Sequence, residues 1–124
     1  MNWKFSSEKP VYLQIMDQIR GAVLSGDYLP GGKIPSVRDL AALARVNPNT
    51  VQHALHELEQ EGLLIAHGTN GRFVTEDSQV LQKLRETRIR ELAAECAQQF
   101  AALGLSPTQA AQELMGLERT DEHG

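Results

Sequence analysis

The sequence has few cysteines, few aromatic residues and no long apolar run. Its one cysteine, Cys96, excludes a disulfide within the chain, and its aromatic content is 5%. The longest apolar run has five residues, Leu40 to Ala44, far below the roughly 20 that a membrane-spanning helix needs. The segment from Met1 to Ser7 also lacks the apolar region of a secretory signal. We therefore expect a cytoplasmic protein without a membrane partner.

Basic charge is also scarce. The 124 residues include 12 Lys and Arg against 16 Asp and Glu, which gives a net charge of −4. Residues 1–75 hold seven basic and seven acidic side chains, whereas residues 76–124 hold five and nine. Phosphate binding depends on local clusters of charge, so the neutral first part can still present a basic face. The short length excludes most large catalytic architectures.

Helical periodicity and the positions of proline and glycine indicate the elements of the first part of the chain. Apolar residues recur at three- and four-residue steps between Pro10 and Gly26, which predicts an amphipathic helix. Two prolines and two glycines in the segment 29–35 then predict a loop, with Leu29 and Ile34 turned towards the core.

Two capped helices and a hairpin are predicted next. Ser36 is a suitable cap for a second helix, and Asn47 followed by Pro48 predicts the start of a third. Because only a short turn separates these helices, they must cross as a helix-turn-helix over about residues 36–60. Two short extended runs around an Asn-Gly turn predict a β-hairpin, or wing, over residues 63–75. The predicted fold class is therefore mainly α with a small β-hairpin, a winged helix-turn-helix.

A two-helix segment is predicted over residues 78–119. Its long helix ends at Gly104, and Ser106 with Gln109 predicts a capping box for the last helix. The long helix carries a stripe of apolar residues, and two helices alone bury too little of it. We therefore expect the stripe to pack against a second copy of the chain in a homodimer. Residues 120–124 have nothing to bury and are predicted to be frayed. The predicted dimer interface consists of Leu84, Ile89, Leu92, Cys96, Phe100, Leu103 and Leu114.

Enzymatic and metal-binding motifs are weak. No Gly-rich phosphate loop follows a strand, and Cys96 lies on an apolar helical stripe where an inert thiol is expected. No catalytic residue, cofactor or metal site is therefore predicted. His53, His56 and Glu57 have a spacing that places ligands on one helical face, but without a distant partner a solvated surface is the simpler interpretation.

The third helix carries polar side chains suited to double-stranded DNA. Asn and Gln pair with adenine, Thr contacts a thymine methyl group or a phosphate, and His donates to guanine or phosphate. In a helix-turn-helix, the start of the second helix enters the major groove. In this chain that helix is the third one. An ordinary polar surface is the alternative interpretation. The predicted contacts from this helix are Asn47, Asn49, Thr50, Gln52 and His53.

Basic residues and one helix cap surround this helix in the sequence. Lysine, arginine and histidine side chains, and a capping hydroxyl with its helix-terminal N–H groups, are common phosphate contacts. The predicted contacts of this kind are Lys33, Ser36, Arg38, Arg45, His67 and Arg72.

Spaced motifs over about residues 9–77 carry a family resemblance. They read Pro10-x-Tyr12-x-Gln14-Ile15, Gly26-x-x-Leu29-Pro30-Gly31-x-x-Ile34-Pro35-Ser36-x-Arg38-x-Leu40-Ala41, Val46-Asn47-Pro48-Asn49-Thr50-Val51, Glu61-Gly62-Leu63-Leu64 and Gly71-x-Phe73-Val74. On these motifs the chain resembles the GntR-type bacterial transcription regulators. The Asn-Pro-Asn-Thr-Val run and the tail of about 50 residues resemble the YtrA-like subgroup.

This resemblance implies a function. It implies a homodimeric regulator, a repressor, that binds a palindromic DNA operator through Arg38, the third helix and the wing around His67 to Arg72. Many members have Ser-Arg-x-Thr where this chain has Asn47 to Thr50, so one arginine contact is absent, and the basic residue of the wing follows the turn. The short tail is too small for the ligand pocket of longer relatives, so a small-molecule effector stays unidentified.

Two other functions are open at this point. A winged helix can serve as a protein-interaction module without specific DNA binding. A metal-sensing regulator that uses His53 and His56 is the other alternative.

Overall fold

The computed structural model describes residues 3–122, with side chains as far as residue 119. These residues divide into two compact units, one as far as Arg85 and the other from Glu86 onward. The predicted fold class, mainly α with one small hairpin, is confirmed. The elements are α1 (Val11–Ser25), α2 (Val37–Ala44), α3 (Pro48–Gln60), β1 (Leu64–Ala66), β2 (Arg72–Val74), α4 (Ser78–Ala101) and α5 (Pro107–Glu122).

The core of the first unit lies around α3. Helix α1 turns Ile15 and Ile19 inwards, and α3 contributes side chains at the three- and four-residue spacing that places them on one face. The loop before α2 and both strands complete the core. The residues of this core cluster are Ile15, Met16, Ile19, Val23, Ile34, Leu40, Ala41, Val51, Ala54, Leu55, Leu58, Leu63, Leu64 and Val74.

Replacing Leu55 with alanine tests this core. The Leu55 side chain is 0% exposed, so its truncation leaves a cavity and should lower the free energy of unfolding by about 2 to 5 kcal/mol. Leu43→Ala is the matched control, because Leu43 is 62% exposed and its truncation should cost less than about 0.5 kcal/mol. Urea unfolding at equal protein concentration measures both values. Equal midpoints for Leu55→Ala and the wild type would contradict this core.

Side-chain caps begin α2 and α3. The Asp39 N–H donates to Ser36 Oγ (3.1 Å), and the Asn49 N–H donates to Asn47 Oδ1 (2.8 Å). Pro48 occupies the first position of α3, where no N–H is needed. The caps predicted from the sequence are therefore confirmed, and they fix where both helices of the helix-turn-helix begin.

The turn between α2 and α3 contains a residue with a strained backbone conformation, Arg45. Arg45 has φ 58°, and it is the one non-glycine residue with positive φ in the part of the chain that the structure describes. The N–H groups of Arg45 and Val46 both donate to the Ala41 carbonyl, which ends α2. A side chain at such a φ destabilises the fold, because this region of backbone space favours glycine.

The wing has three extended segments. Strands β1 and β2 pair antiparallel, with Ala66 opposite Arg72. The segment 31–34 lies along the other edge of β2: the Gly31 N–H donates to the Val74 carbonyl (2.8 Å) and the Ile34 N–H to the Arg72 carbonyl (3.0 Å). The sequence predicted only a loop here, because this pairing joins residues far apart in the chain.

The inward placement predicted for this loop is half correct. Ile34 is buried, as predicted, because the segment around it pairs with β2. The prediction for Leu29 is wrong, since its side chain is 64% exposed. Its carbonyl accepts the Gly32 N–H (2.8 Å) in a turn that precedes the paired residues.

Helix α4 begins in the first unit. Leu81 and Leu84 are half-buried and pack against the core of that unit. The first compact unit therefore includes the start of α4, as far as Arg85, and the predicted limits of a DNA-binding domain over residues 9–77 and a dimerisation segment over residues 78–119 stay predictions. Leu84 is thus partly covered by its own chain, and its place in the dimer interface stays a prediction.

The second unit contains the end of α4 and helix α5. Gly104 (φ 84°) follows α4, and the predicted capping box is present: the Gln109 N–H donates to Ser106 Oγ (3.2 Å), and the Ser106 N–H donates to Gln109 Oε1 (2.8 Å). Ala110 is buried, and Cys96 and Phe100 are half-buried. Several large apolar side chains remain exposed, namely Ile89, Leu92, Leu103, Leu114, Met115 and Leu117.

A further prediction concerns the end of α5. Helix α5 continues to Glu122, and the frayed tail over residues 120–124 stays a prediction. Residues 123–124, also in that prediction, lie outside the described residues. Within residues 3–122, no helix combines the length and apolar character needed to cross a membrane.

Candidate nucleic-acid interface

The exposed face of α3 is polar and lacks formal charge over its first turns. Asn49, Gln52, His53 and His56 are exposed on the side opposite the buried residues of the helix. Their spacing of three or four residues places them together on one face. No carboxylate, lysine or arginine occurs between Asn47 and His56. Such a face offers hydrogen-bond donors and acceptors that match the edges of bases.

Asn47 has a role in the helix cap. Its Oδ1 accepts the Asn49 N–H, so only the Nδ2 group is left to donate outward. Bidentate pairing with adenine needs both ends of the amide. This geometry suits a phosphate contact by Asn47, whereas the Asn49 side chain keeps both amide ends. Thr50 is half-buried, and its N–H donates to the Asn47 carbonyl (2.9 Å).

His53 is held by helix α1. Its imidazole stacks on the Tyr12 ring with centroids 3.9 Å apart and an interplanar angle of 19°. Its Nε2 lies 3.7 Å from Glu57 Oε1. The sequence indicated Tyr12 only as a residue of the amphipathic helix, so this contact was missed. Among the described residues, no group of three or more His, Cys, Asp and Glu side chains is placed to hold a metal ion.

Three cations beside α3 are exposed. Lys33 lies in the third segment of the wing, Arg38 in the first turn of α2, and Arg45 in the turn before α3. Within the described part of the chain, no carboxylate lies at ion-pair distance from any of these three side chains. Their charges are therefore available to an anion.

The carboxylates near the end of α3 each face a basic group. Glu59 pairs with Arg72, Glu61 pairs with Arg20, and Glu57 lies beside His53. These contacts offset negative charge close to the exposed face of the helix. The Arg72 side chain is 19% exposed and that of Glu59 is 21%, so Arg72 is paired within the first unit, and its DNA contact stays a prediction.

Ser36 and His67 complete the predicted set. The Ser36 hydroxyl accepts the Asp39 N–H and keeps its own proton for donation. His67 is exposed at the wing turn and packs edge-on against Phe73, with ring centroids 4.9 Å apart. All eleven predicted DNA contacts lie in the first unit.

Comparison with known proteins identifies similar chains. The sequence profile described as "Bacterial regulatory proteins, gntR family" matches residues 11–74. The HTH-type transcriptional regulator YhcF of Bacillus subtilis is 38% identical, over 86% of this chain and 88% of its own. The HTH-type transcriptional repressor YtrA of the same organism is 40% identical, over 68% of this chain and 66% of its own. These relatives are transcriptional regulators rather than enzymes.

Solved structures with the same fold include a DNA complex. A GntR family transcriptional regulator from Listeria monocytogenes superposes with a TM-score of 0.78 at 28% identity, over 94% of this chain and 98% of its own. The DNA-binding domain of AraR, in complex with operator ORX1, superposes with a TM-score of 0.55 at 28% identity, over 58% of this chain and 93% of its own.

Proposed function

Because the chain belongs to the gntR family of bacterial regulatory proteins, we propose that this transcription regulator is a repressor that binds a palindromic operator as a homodimer. The observation that carries the proposal is the neutral polar face of α3 with three unpaired cations beside it. A relative named as a repressor, YtrA, supports the direction of regulation. As an operator-binding protein, it acts in the cytoplasm.

The proposed contacts divide into two groups. Asn49, Gln52 and His53 contact bases, together with Thr50, because they occupy the first turns of α3 where the major groove is read. The other contacts bind phosphates and set the position of the protein on the duplex without choosing a sequence. This second group is Lys33, Ser36, Arg38, Arg45, Asn47 and His67.

The second unit supplies the proposed dimer contact. Leu92, Leu103 and Leu114 are exposed, and covering such side chains is favourable in proportion to the apolar area removed from water. A second copy of the same chain offers the same apolar residues, so a two-fold interface buries both sets. Such a dimer places two copies of α3 about 34 Å apart, one turn of DNA, on a site with matching two-fold symmetry.

Selection of bound DNA from a random pool tests this function. We expect a palindrome whose half-sites are centred about 10 base pairs apart. Three unpaired cations in each protomer give about six phosphate contacts, so affinity should fall by about 1,000-fold between 50 and 200 mM salt. A protein-interaction module would enrich no sequence and show no such salt response. Enrichment of a single asymmetric site would contradict the homodimer but keep the DNA-binding function.

A further inference from the structure

We propose that the positive charge of the wing comes from Lys33, and that Arg72 is a positioning residue that neutralises the Glu59 carboxylate where the wing meets α3. This inference rests on the proposed DNA-binding function. It reverses the roles that the sequence suggested, because Arg72 is part of the hairpin whereas Lys33 precedes α2.

Lys33 reaches the wing through backbone pairing. It lies opposite Phe73 of β2, and the hydrogen bonds of its neighbours hold this register: the Val74 N–H donates to the Gly32 carbonyl (2.9 Å) and the Ile34 N–H to the Arg72 carbonyl. Lys33 is thus attached to the wing as firmly as a residue of the hairpin itself.

The Lys33 side chain crosses the wing turn at Gly71. A Cβ added to Gly71 would lie 2.9 Å from Lys33 Cε and 3.6 Å from its Nζ, so the missing side chain of Gly71 leaves the space that the lysine fills. Gly71 also has φ 104°, a backbone conformation that favours glycine. The ammonium group is therefore at the turn of the wing, where the hairpin has no free cation of its own.

Arg72 joins three segments of the first unit. Its carbonyl accepts the Ile34 N–H, its backbone pairs with Ala66 in β1, and its Nε donates to Glu59 of α3. The pair is partly buried, and removing one partner of such an ion pair leaves the other charge uncompensated, whereas removing both charges together is often tolerated. Arg72 therefore compensates the Glu59 carboxylate where the wing packs against α3.

The two roles predict different responses to substitution. Without Lys33, the dimer loses two phosphate contacts, and no second substitution restores them. Without Arg72, the Glu59 carboxylate is left uncompensated between the wing and α3 and disturbs their packing, so neutralising Glu59 should restore binding. A direct phosphate contact by Arg72 predicts instead that Glu59→Gln gives no rescue.

The experiment compares Lys33→Gln, Arg72→Gln, Glu59→Gln and the double variant Arg72→Gln/Glu59→Gln. Lys83→Gln is the matched control, since it removes one exposed lysine from the same unit. Fluorescence anisotropy gives the affinity for the selected operator over a series of salt concentrations, and thermal unfolding reports whether each variant is folded.

We expect Lys33→Gln to lower affinity about tenfold and to make the slope of log affinity against log salt shallower by about 2 for the dimer. Arg72→Gln should also lose about tenfold, and the double variant should return to within about twofold of the wild type with its slope unchanged. Lys83→Gln should match the wild type.

Two results would overturn the inference. One is a Lys33→Gln variant that binds like Lys83→Gln; the other is a double variant as weak as Arg72→Gln, and a shallower slope with it would assign Arg72 a direct phosphate contact. If Arg72→Gln does not fold, the double variant decides alone, because it carries no unpaired charge. A wild-type protein that binds no duplex would instead contradict the proposed function.

Discussion

Replacing Asn49 with alanine is expected to weaken binding to the selected operator by about 5- to 150-fold, or 1 to 3 kcal/mol, while binding to unrelated duplex DNA stays nearly unchanged. Asn49 is exposed in the first turn of α3, and its backbone N–H is already bonded to Asn47. Its exposed side-chain amide keeps both ends for a base. Anisotropy titrations with operator and scrambled duplexes measure the two affinities.

The control for this variant is Gln60→Ala. Gln60 is an exposed amide at the last position of the same helix, away from the turns that we expect to enter the groove. Its truncation should change operator affinity by less than about twofold. An equal loss on both duplexes for Asn49→Ala would show that Asn49 positions the protein on the phosphates and does not choose the sequence.

Replacing Leu92 with glutamate is expected to convert the protein to a monomer and to lower affinity for the palindrome by about 100-fold or more. Leu92 is 48% exposed in the second unit, so a charge there would have to be buried when a second copy covers this face. Loss of the dimer removes the gain in affinity that comes from linking two DNA-binding units. Sedimentation at micromolar concentration and operator titration measure the two effects.

Gln98→Glu provides the matched control. Gln98 is exposed on the same helix, and this substitution adds the same charge without removing an apolar side chain. It should leave both the dimer and the operator affinity unchanged. A Leu92→Glu variant that is still dimeric would show that the interface lies elsewhere, and a monomeric wild type would contradict the homodimer itself.

Local features of the fold follow directly from the sequence. The caps at Ser36, Asn47 and Ser106 were predictable because each involves residues only two or three positions apart. Helical periodicity likewise predicted which side of α3 is buried, and the family motifs cover the unit that holds the predicted DNA contacts.

Contacts between distant segments could not be predicted. The Tyr12 ring against His53, the Glu59 carboxylate on Arg72 and the Lys33 segment beside β2 each depend on how the elements pack, and spacing along the chain carries no such information. Leu84 illustrates the same limit, since its place on an apolar stripe does not show which surface covers it.

The separation of charge from the exposed face of α3 has an evolutionary consequence. The amides and imidazoles of that face, such as Asn49 and Gln52, belong to α3, whereas the unpaired cations belong to the wing edge, α2 and the turn before α3. With the contacts proposed above, substitutions on the face would redirect a descendant to a new operator without altering how strongly its binding responds to salt. Duplicated copies of the gene can diverge in their targets while each keeps the same general attraction to DNA.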